Sequence, residues 1–113
     1  MGKVTSSIDE RGDNLILRVN LGGFVDVVTT AEFNNGKVSD VTTVTTWPTY
    51  ESAQNNYNDI KNKYPTTISG KKVTSDVTKD FIDERTGEGF SKDQVRAIYA
   101  QMIKQYEDFA KTL

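Results

Sequence analysis

The chain has 113 residues, 35% of them hydrophobic, and a formal net charge of −2 at pH 7. This length allows a buried core without disulfides or metal, and predicts a single domain over residues 1–113. Cys and His are both absent, which excludes zinc fingers, thiol nucleophiles and imidazole acid–base chemistry. No apolar run is long enough for a transmembrane segment, and the mixed charges predict no nucleic-acid partner.

The first half of the chain has the alternation of β-strands, interrupted by turn residues. In LILRVNL, residues 15–21, an apolar side chain occupies every second position, which predicts a strand with one buried face. The sequence NNG, residues 34–36, predicts a hairpin turn, because Asn and Gly tolerate the positive φ angles of a primed turn. The returning segment, 37–47, has apolar residues at every third position. Its many β-branched residues predict a strand that is bulged or half-buried on both faces.

The second half changes to helical spacing. Thr49 is placed to cap a helix over residues 50–64, and Pro65 ends it. The segment 71–83 predicts one long strand or two short ones, with Val73, Val77 and Phe81 alternating. A last helix is predicted by an apolar stripe of Val95, Ile98, Tyr99, Met102, Tyr106 and Phe109. The expected fold is an α+β architecture, an antiparallel sheet of four to six strands with two helices packed on one face.

The stretch IDERTGEGFSKDQV, residues 82–95, has a structural explanation as the start of this last helix. Ser91 and Gln94 have the spacing of a capping box, in which each side chain bonds a free backbone N–H group. Phe90 and Val95 are placed as the accompanying hydrophobic pair. The glycines at 87 and 89 give the chain freedom to turn into the helix.

The same stretch also resembles the attachment loop of the small FMN-binding domains of bacterial envelope flavoproteins. That loop has the pattern Asp-x-x-Ser/Thr-Gly-Ala-Thr before a helix, and Asp83, Thr86 and Gly87 match it. The segment GGFVDVVTTAEFNNGKVSDV, residues 22–41, resembles the hairpin that precedes the loop. The resemblance implies flavin binding, with a phosphate near the helix N-terminus. The implied cofactor-binding residues are Thr86, Gly87, Gly89 and Ser91.

Two departures from that pattern restrict what it implies. Glu88 stands where the family has Ala, which places a negative charge near the expected phosphate. Gly89 stands where covalent members have the Thr that accepts the flavin, so it has no hydroxyl for attachment. The resemblance therefore implies a degenerate domain that binds FMN non-covalently and transfers electrons.

A second resemblance covers more of the chain. The segments 33–46 and 53–73, FNNGKVSDVTTVTT and AQNNYNDIKNKYPTTISGKKV, resemble a family of small bacterial lipoproteins of unknown function. The lipid-bearing Cys of that family is missing, as expected if leader and anchor are trimmed. This resemblance implies an extracytoplasmic location, in the cell envelope or secreted. A cytoplasmic location is the alternative, since cytosolic proteins without Cys are common.

Several surface patterns have both a binding and a structural interpretation. The threonine pairs at 42–43 and 45–46 suit a sugar-binding array or simply a solvated sheet face. Tyr50, Tyr57 and Tyr64 could stack on a carbohydrate, or lie at the edge of the core. Lys61, Lys63, Lys71 and Lys72 could contact an anionic polymer or lipid headgroup, or remain solvated. The tripeptide 11–13, Arg-Gly-Asp, matches an adhesion motif and is also ordinary turn composition.

We therefore predict a non-catalytic binding or structural module of an exported bacterial envelope protein, with no cofactor and no metal. The carboxylates near residues 76–84 lack the Asp-x-Asp-x-Asp-Gly loop that organises a calcium site. The expected partner is a protein or a glycan. The expected partner-binding residues are Thr43 and Thr45 on an open sheet face, and Arg85 and Glu88 in the loop before the last helix.

Overall fold

The computed structural model describes residues 3–111, which form a six-stranded antiparallel sheet and two α-helices. The strands are β1 (Val4–Arg11), β2 (Asn14–Leu21), β3 (Val25–Asn34), β4 (Lys37–Thr46), β5 (Thr66–Ser69) and β6 (Lys72–Asp76). The helices are α1 (Tyr50–Ile60) and α2 (Lys92–Ala110). The strand order is β1-β2-β3-β4-β6-β5. The predicted α+β class, with an antiparallel sheet and two helices, is confirmed.

The core lies between one face of the sheet and α2. The alternating residues of β2 from Leu15 to Leu21 are all buried, because every second side chain of a strand points to the same side. From α2, Val95 and Tyr99 are fully buried against this face. Helix α1 contacts β5 and β6 instead, and contributes the buried Ala53. The helices therefore cover different parts of the sheet.

A buried tyrosine hydrogen-bonds α2 to two strands of the sheet. The single proton of the Tyr99 hydroxyl faces two acceptors, the backbone carbonyl oxygens of Leu15 in β2, at 3.0 Å, and of Thr29 in β3, at 3.3 Å. Its ring packs edge-on against Phe81, with ring centroids 6.3 Å apart. These contacts restrict both the translation of α2 along the sheet and its rotation about the helix axis.

The turn and bulge predicted for the central hairpin are both present. Asn35 and Gly36 have φ angles of 55° and 79°, as a primed turn requires. In the β3–β4 ladder Glu32 pairs with Asp40 and Phe33 with Val38, so Ser39 is an extra residue on β4. The bulge turns Val38 and Val41 to the same buried side although they are three residues apart. This explains the spacing of three between Val38 and Val41, whereas Val44 pairs with Val28 on the opposite face.

The prediction for residues 71–83 is wrong beyond Asp76. The carboxylate of Asp76 accepts hydrogen bonds from the backbone N and the Oγ1 of Thr78, at 3.0 and 2.6 Å, which ends the strand in a tight turn. Residues Thr78–Phe81 then form a 3₁₀ turn rather than a strand. The sequence also did not predict β5, which pairs with β6 as a short hairpin.

Both predicted helix caps are formed. Ser91 Oγ accepts from the backbone N of Gln94 at 3.3 Å, and the backbone N of Ser91 donates to Gln94 Oε1 at 2.9 Å. Thr49 Oγ1 accepts from the backbone N of Ser52 at 3.0 Å, at the start of α1. Each cap provides a partner for backbone N–H groups that have none within the helix.

We expect Ser91→Ala to lower the free energy of unfolding by about 1 kcal/mol, because it removes the acceptor of the capping box. Urea unfolding followed by circular dichroism measures this loss. The control is Ser7→Ala, since Ser7 is exposed on β1 and its loss should stay within about 0.5 kcal/mol. Equal losses in the two variants would contradict a stabilising role for the cap.

A second expectation concerns high pH. Burial raises the pKa of Tyr99 well above the ordinary value of 10.0. Above pH 10 the unfolded chain ionises at this tyrosine while the folded protein keeps it neutral. The stability it provides is therefore complete below pH 10, and falls as the pH rises further, by up to about 1.4 kcal/mol per pH unit.

Urea unfolding at a series of pH values around 9 to 11 measures this loss. Other tyrosines and the lysines also titrate in this range, so the comparison is between the wild type and Tyr99→Phe. The stability of the variant should fall less steeply with pH. Parallel pH profiles would show that the Tyr99 hydroxyl is ionised in the folded protein as easily as in the unfolded chain.

Candidate binding cleft between the helices

A cleft lies between α1 and α2, with the sheet as its floor. It consists of two adjoining cavities of about 450 and 420 Å³. Both cavities are lined by Thr45, Asn56, Met102, Gln105 and Tyr106. The first extends to Leu21, Val25, Trp47 and Phe109, and the second to Ser75, Val77, Tyr64, Asp80 and Ile98. We call this space the inter-helix cleft.

A row of hydroxyl groups crosses the sheet below the cleft. Thr29, Thr43, Ser75 and Thr66 lie directly opposite one another on β3, β4, β6 and β5. The side-chain oxygens of Thr29 and Thr43 are 3.0 Å apart, and those of Thr66 and Ser75 are 3.4 Å apart. The two middle members of the row, Thr43 and Ser75, line the cleft. They give an otherwise apolar floor a set of donors and acceptors.

The structure corrects the predicted position of the β4 threonines. Thr43 pairs with the fully buried Thr29, so its side chain is on the helix-covered face of the sheet rather than on the open face. Thr45 is two residues further along β4 and lines the same cleft. The β4 threonines of the open face are Thr42 and Thr46. The sequence predicted that alternate residues of β4 face opposite sides of the sheet. It did not show which of the two groups faces the helices, because that depends on the bulge at Ser39.

The walls of the cleft are mainly apolar. Helix α2 contributes Ile98, Met102 and Tyr106, and α1 contributes Ile60. Burial raises the pKa of the Tyr106 hydroxyl, which favours its neutral form. This wall can therefore contact an alkyl chain or ring without desolvating a charge.

The polar groups of the cleft are amides in its middle and a tyrosine–carboxylate pair at one end. Trp47 Nε1 donates to Asn56 Oδ1 at 3.2 Å, which leaves the Nδ2 group of Asn56 for a ligand. Tyr64 Oη donates to Asp80 Oδ2 at 2.5 Å, and this hydrogen bond raises the pKa of Tyr64. Asp80 is the one carboxylate that lines these two cavities among residues 3–111, and no lysine or arginine of that range lines them.

The arrangement suits a small uncharged molecule with an apolar part and a hydrogen-bonding group. Small-molecule sites typically have volumes of about 300–1,000 Å³, with apolar walls and a few polar groups that set orientation. The cleft has this size and composition. An anionic ligand would meet Asp80 in the lining itself, whereas Lys79, whose ammonium lies 4.6 Å from the centroid of the Tyr64 ring, does not line the cleft.

The loop of residues 82–91, where flavin binding was predicted, has its polar groups engaged internally. Backbone N–H groups of Gly87 and Phe90 donate to the carbonyl oxygens of Asp83 and Phe81. The backbone N of Glu88 donates to Thr86 Oγ1 at 3.2 Å. The backbone N of Ser91 donates to Gln94 Oε1, so four N–H groups of this stretch have partners within the protein and are not available to a phosphate.

The two glycines of this loop have different structural roles. Gly87 has a φ angle of 73°, a conformation that glycine adopts without strain. A Cβ atom at Gly89 would lie 2.0 Å from the carbonyl oxygen of Val38, so only glycine fits against β4 there. The backbone N of Val38 donates to the carbonyl oxygen of Phe90 at 2.8 Å, which holds the loop at this distance.

The remaining candidate residues lie apart from the cleft. Arg85 and Glu88 are exposed, and Glu88 forms an ion pair with Lys37 of β4. The tripeptide 11–13 lies at the exposed β1–β2 turn. Partner binding at Arg85 and Glu88 stays a prediction.

The sequence did not reveal that the amides of Asn56 and Gln105 line a cleft. Both lie on helices beside apolar residues, and a polar residue at such a position is usually one that faces solvent. The one sequence feature that points to them is the pair Gln101 and Gln105, which are one helical turn apart on α2 beside Met102.

No protein-family model matches the chain, and no curated protein or solved structure gives a significant match. The resemblances to envelope lipoproteins and to FMN-binding domains therefore stay predictions. Among residues 3–111, neither helix is both long and apolar enough to cross a membrane.

We expect Gly89→Ala to lower the free energy of unfolding by about 1–3 kcal/mol, because the new methyl group would collide with the backbone of β4. Thermal and urea unfolding measure the loss. Gly87→Ala is the matched control in the same loop, since a Cβ at Gly87 meets no atom within 4 Å. Its positive φ alone should cost about 1 kcal/mol. A smaller loss for Gly89→Ala than for Gly87→Ala would contradict the close approach.

Proposed function

We propose that the protein is a non-catalytic binding domain that holds a small uncharged amphipathic molecule in the inter-helix cleft. The observation that carries this proposal is the cleft itself, in which apolar walls from both helices enclose a floor with hydroxyl groups. The apolar part of the ligand lies against Met102 and Tyr106. Its polar group bonds Thr43, Ser75 or the amide of Asn56.

The ionisable groups in the cleft support binding rather than catalysis. Tyr64 and Tyr106 both have raised pKa values, the first from its hydrogen bond to Asp80 and the second from burial. Both phenols are therefore neutral at physiological pH and do not act as bases. Asp80 already accepts the Tyr64 hydrogen bond and is exposed to solvent. General acid–base catalysis is most efficient with a group whose pKa lies near the working pH, and neither phenol provides one.

The location that fits this proposal is the envelope of a bacterium, where the domain would act as a soluble carrier or sensor. Its support is the sequence pattern alone, namely the absence of Cys and the abundance of Thr and Asn. The alternative, non-covalent FMN binding at residues 86–91, is weakened because four backbone N–H groups of this loop, at residues 87, 88, 90 and 91, already have protein partners.

A neutral fluorescent probe, N-phenyl-1-naphthylamine, tests the cleft. We expect saturable binding with a rise in fluorescence, because the probe is uncharged and matches the apolar walls. We expect Thr45→Phe to weaken binding by roughly tenfold or more, since the larger ring occupies the middle of the cleft. The matched control is Thr46→Phe, the adjacent residue on the opposite face of β4.

Competition with three added molecules tests the charge preference. Decanol should displace the probe at lower concentration than decanoate, because a carboxylate meets Asp80 and no lining cation. FMN should not displace it. Absence of saturable binding, or equal weakening by Thr45→Phe and Thr46→Phe, would refute a ligand site in the cleft. Equal displacement by decanol and decanoate would refute the preference for an uncharged ligand.

A further inference from the structure

Strand β1 lies at an edge of the sheet and has one unpaired side, which we call the β1 edge. Among residues 3–111 its one strand neighbour is β2, and the two pair without a bulge from Val4 to Arg11. The opposite edge of the sheet is β5, which has only four residues and contacts α1. A long, regular edge strand presents unpaired N–H and C=O groups to which another strand can be added.

The hydrogen bonds between β1 and β2 show which backbone groups point outward. The carbonyl oxygen of Lys3 accepts from the backbone N of Gly22 at 2.8 Å, so the backbone groups of Lys3 face β2. In an antiparallel pair, alternate residues bond the neighbouring strand, and the residues between them point away from it. The N–H and C=O groups of Val4, Ser6 and Ile8 therefore face the open side of β1.

The side chains of the same three residues lie on the helix-covered face, because they pair with buried residues of β2. Ile8 is 37% exposed there, an apolar side chain at an open strand edge. Glu10 follows on this face and forms ion pairs with Lys92 and Arg96 of α2. Inward-pointing charges on an edge strand oppose pairing with another strand. An added strand is therefore expected to leave Glu10 outside the paired segment.

We propose that a second copy of the chain pairs antiparallel with the β1 edge, with Ser6 of one copy opposite Ser6 of the other. The paired segments are residues 3–9 of both copies, and Glu10 lies outside them. A two-fold axis then passes between the two Ser6 residues, as is usual in dimers of identical chains. Directly opposed residues of an antiparallel pair point to the same side, so the helices of both copies lie on one face of a continuous sheet.

This register matches the side chains of the two strands. Each Lys3 lies opposite Asp9 of the other copy, on the face away from the helices. Each Val4 lies opposite Ile8 on the helix-covered face, and gives that exposed side chain an apolar neighbour. Opposite charges and apolar pairs at directly opposed positions stabilise an antiparallel pair. Asp9 also contacts Arg18 of its own chain at 3.7 Å, and a carboxylate can accept from both cations.

Other symmetric registers lose this match. Centring the pair on Ser7 would place Lys3 opposite Arg11, and two like charges at opposed positions are destabilising. Centring it on Ile8 would move Lys3 beyond the end of the opposing strand. The register centred on Ser6 thus pairs a cation near one end of the strand with an anion near its other end. This is the complement that β1 itself provides when its direction is reversed, which favours a second copy over an arbitrary extended peptide.

The paired segment is short, so the expected dimer is weak. Interfaces smaller than about 1,200 Å² in total are typical of transient association, and one strand edge is a smaller surface than a packed face. Dimerisation is therefore expected at high micromolar concentration and not at nanomolar concentration. The residues that line the inter-helix cleft lie outside β1, so dimerisation and probe binding are measured separately and either proposal can fail alone.

A single cysteine tests the register, because the chain has no cysteine of its own. The Cα atoms of opposed residues in a hydrogen-bonded antiparallel pair are about 5.5 Å apart, within the range of a disulfide. The matched control is Ser7→Cys, since Ser7 is also exposed on β1. In the proposed register the two Ser7 Cα atoms would be about 8 Å apart, beyond that range. Under mild oxidation at high micromolar concentration, we expect Ser6→Cys to form disulfide-linked dimers roughly tenfold faster than Ser7→Cys.

Sedimentation equilibrium at micromolar to millimolar concentrations tests the backbone and charge pairing. Ser6→Pro removes an outward N–H from each strand and should weaken the dimer by roughly tenfold or more, while an edge strand tolerates the proline. Lys3→Glu should weaken it severalfold, and Lys3→Glu combined with Asp9→Lys should restore it, because the charge pairs are exchanged. The control is Phe24→Ser, which removes a 68% exposed ring outside β1 and should dimerise like the wild type. Melting curves verify that each variant folds.

A wild type that stays monomeric at millimolar concentration would overturn the proposal, as would cross-linking of Ser6→Cys no faster than that of Ser7→Cys. Dimers that are insensitive to Ser6→Pro, or that depend on Phe24, would assign self-association to another surface. Failure of the exchanged charges to restore the dimer would overturn the pairing of Lys3 with Asp9 and with it the register.

Discussion

The hydrogen bonds of the buried Tyr99 hydroxyl fix the position of α2, and the cleft depends on that position. The hydroxyl bonds carbonyl oxygens of two strands, so sliding or rotating the helix would leave a buried polar group without a partner. Met102 and Tyr106 follow Tyr99 at spacings of three and seven, which places them on the same side of the helix. The hydrogen-bonded Tyr99 and the packing of Val95 beside it therefore set the position of this wall of the cleft.

The floor of the cleft exists because the sheet carries small hydroxyl residues where it could carry bulky aliphatic ones. Under α2, β2 presents leucine and valine, and the space is filled. Between the helices the corresponding inward residues are Thr43, Thr45 and Ser75, which are shorter and leave room above them. On this face of the sheet, the core therefore lies over the aliphatic side chains and the cleft lies over the shorter hydroxyl side chains.

The sequence predicted the fold better than the site. Local rules sufficed for the caps at Thr49 and Ser91 and for the primed turn at Asn35, because each depends on neighbouring residues. The strand end at Asp76 was missed because its cause is a side-chain hydrogen bond to Thr78, which competes with the β pattern. The cleft depends on the distance between two helices, and the spacing of apolar residues within one helix gives no information about that distance.

The order of the strands has a consequence for how the chain folds. Strands β1 to β4 are each neighbours in both sequence and space, so their hairpins close with short loops and low entropic cost. Helix α2 must return from far along the chain, with Tyr99 bonding a residue 84 positions earlier. Contacts of such separation close a long loop and are therefore slow to form. The meander can consequently pair before α2 docks on it, and the floor of the cleft would be open to water until the helix arrives.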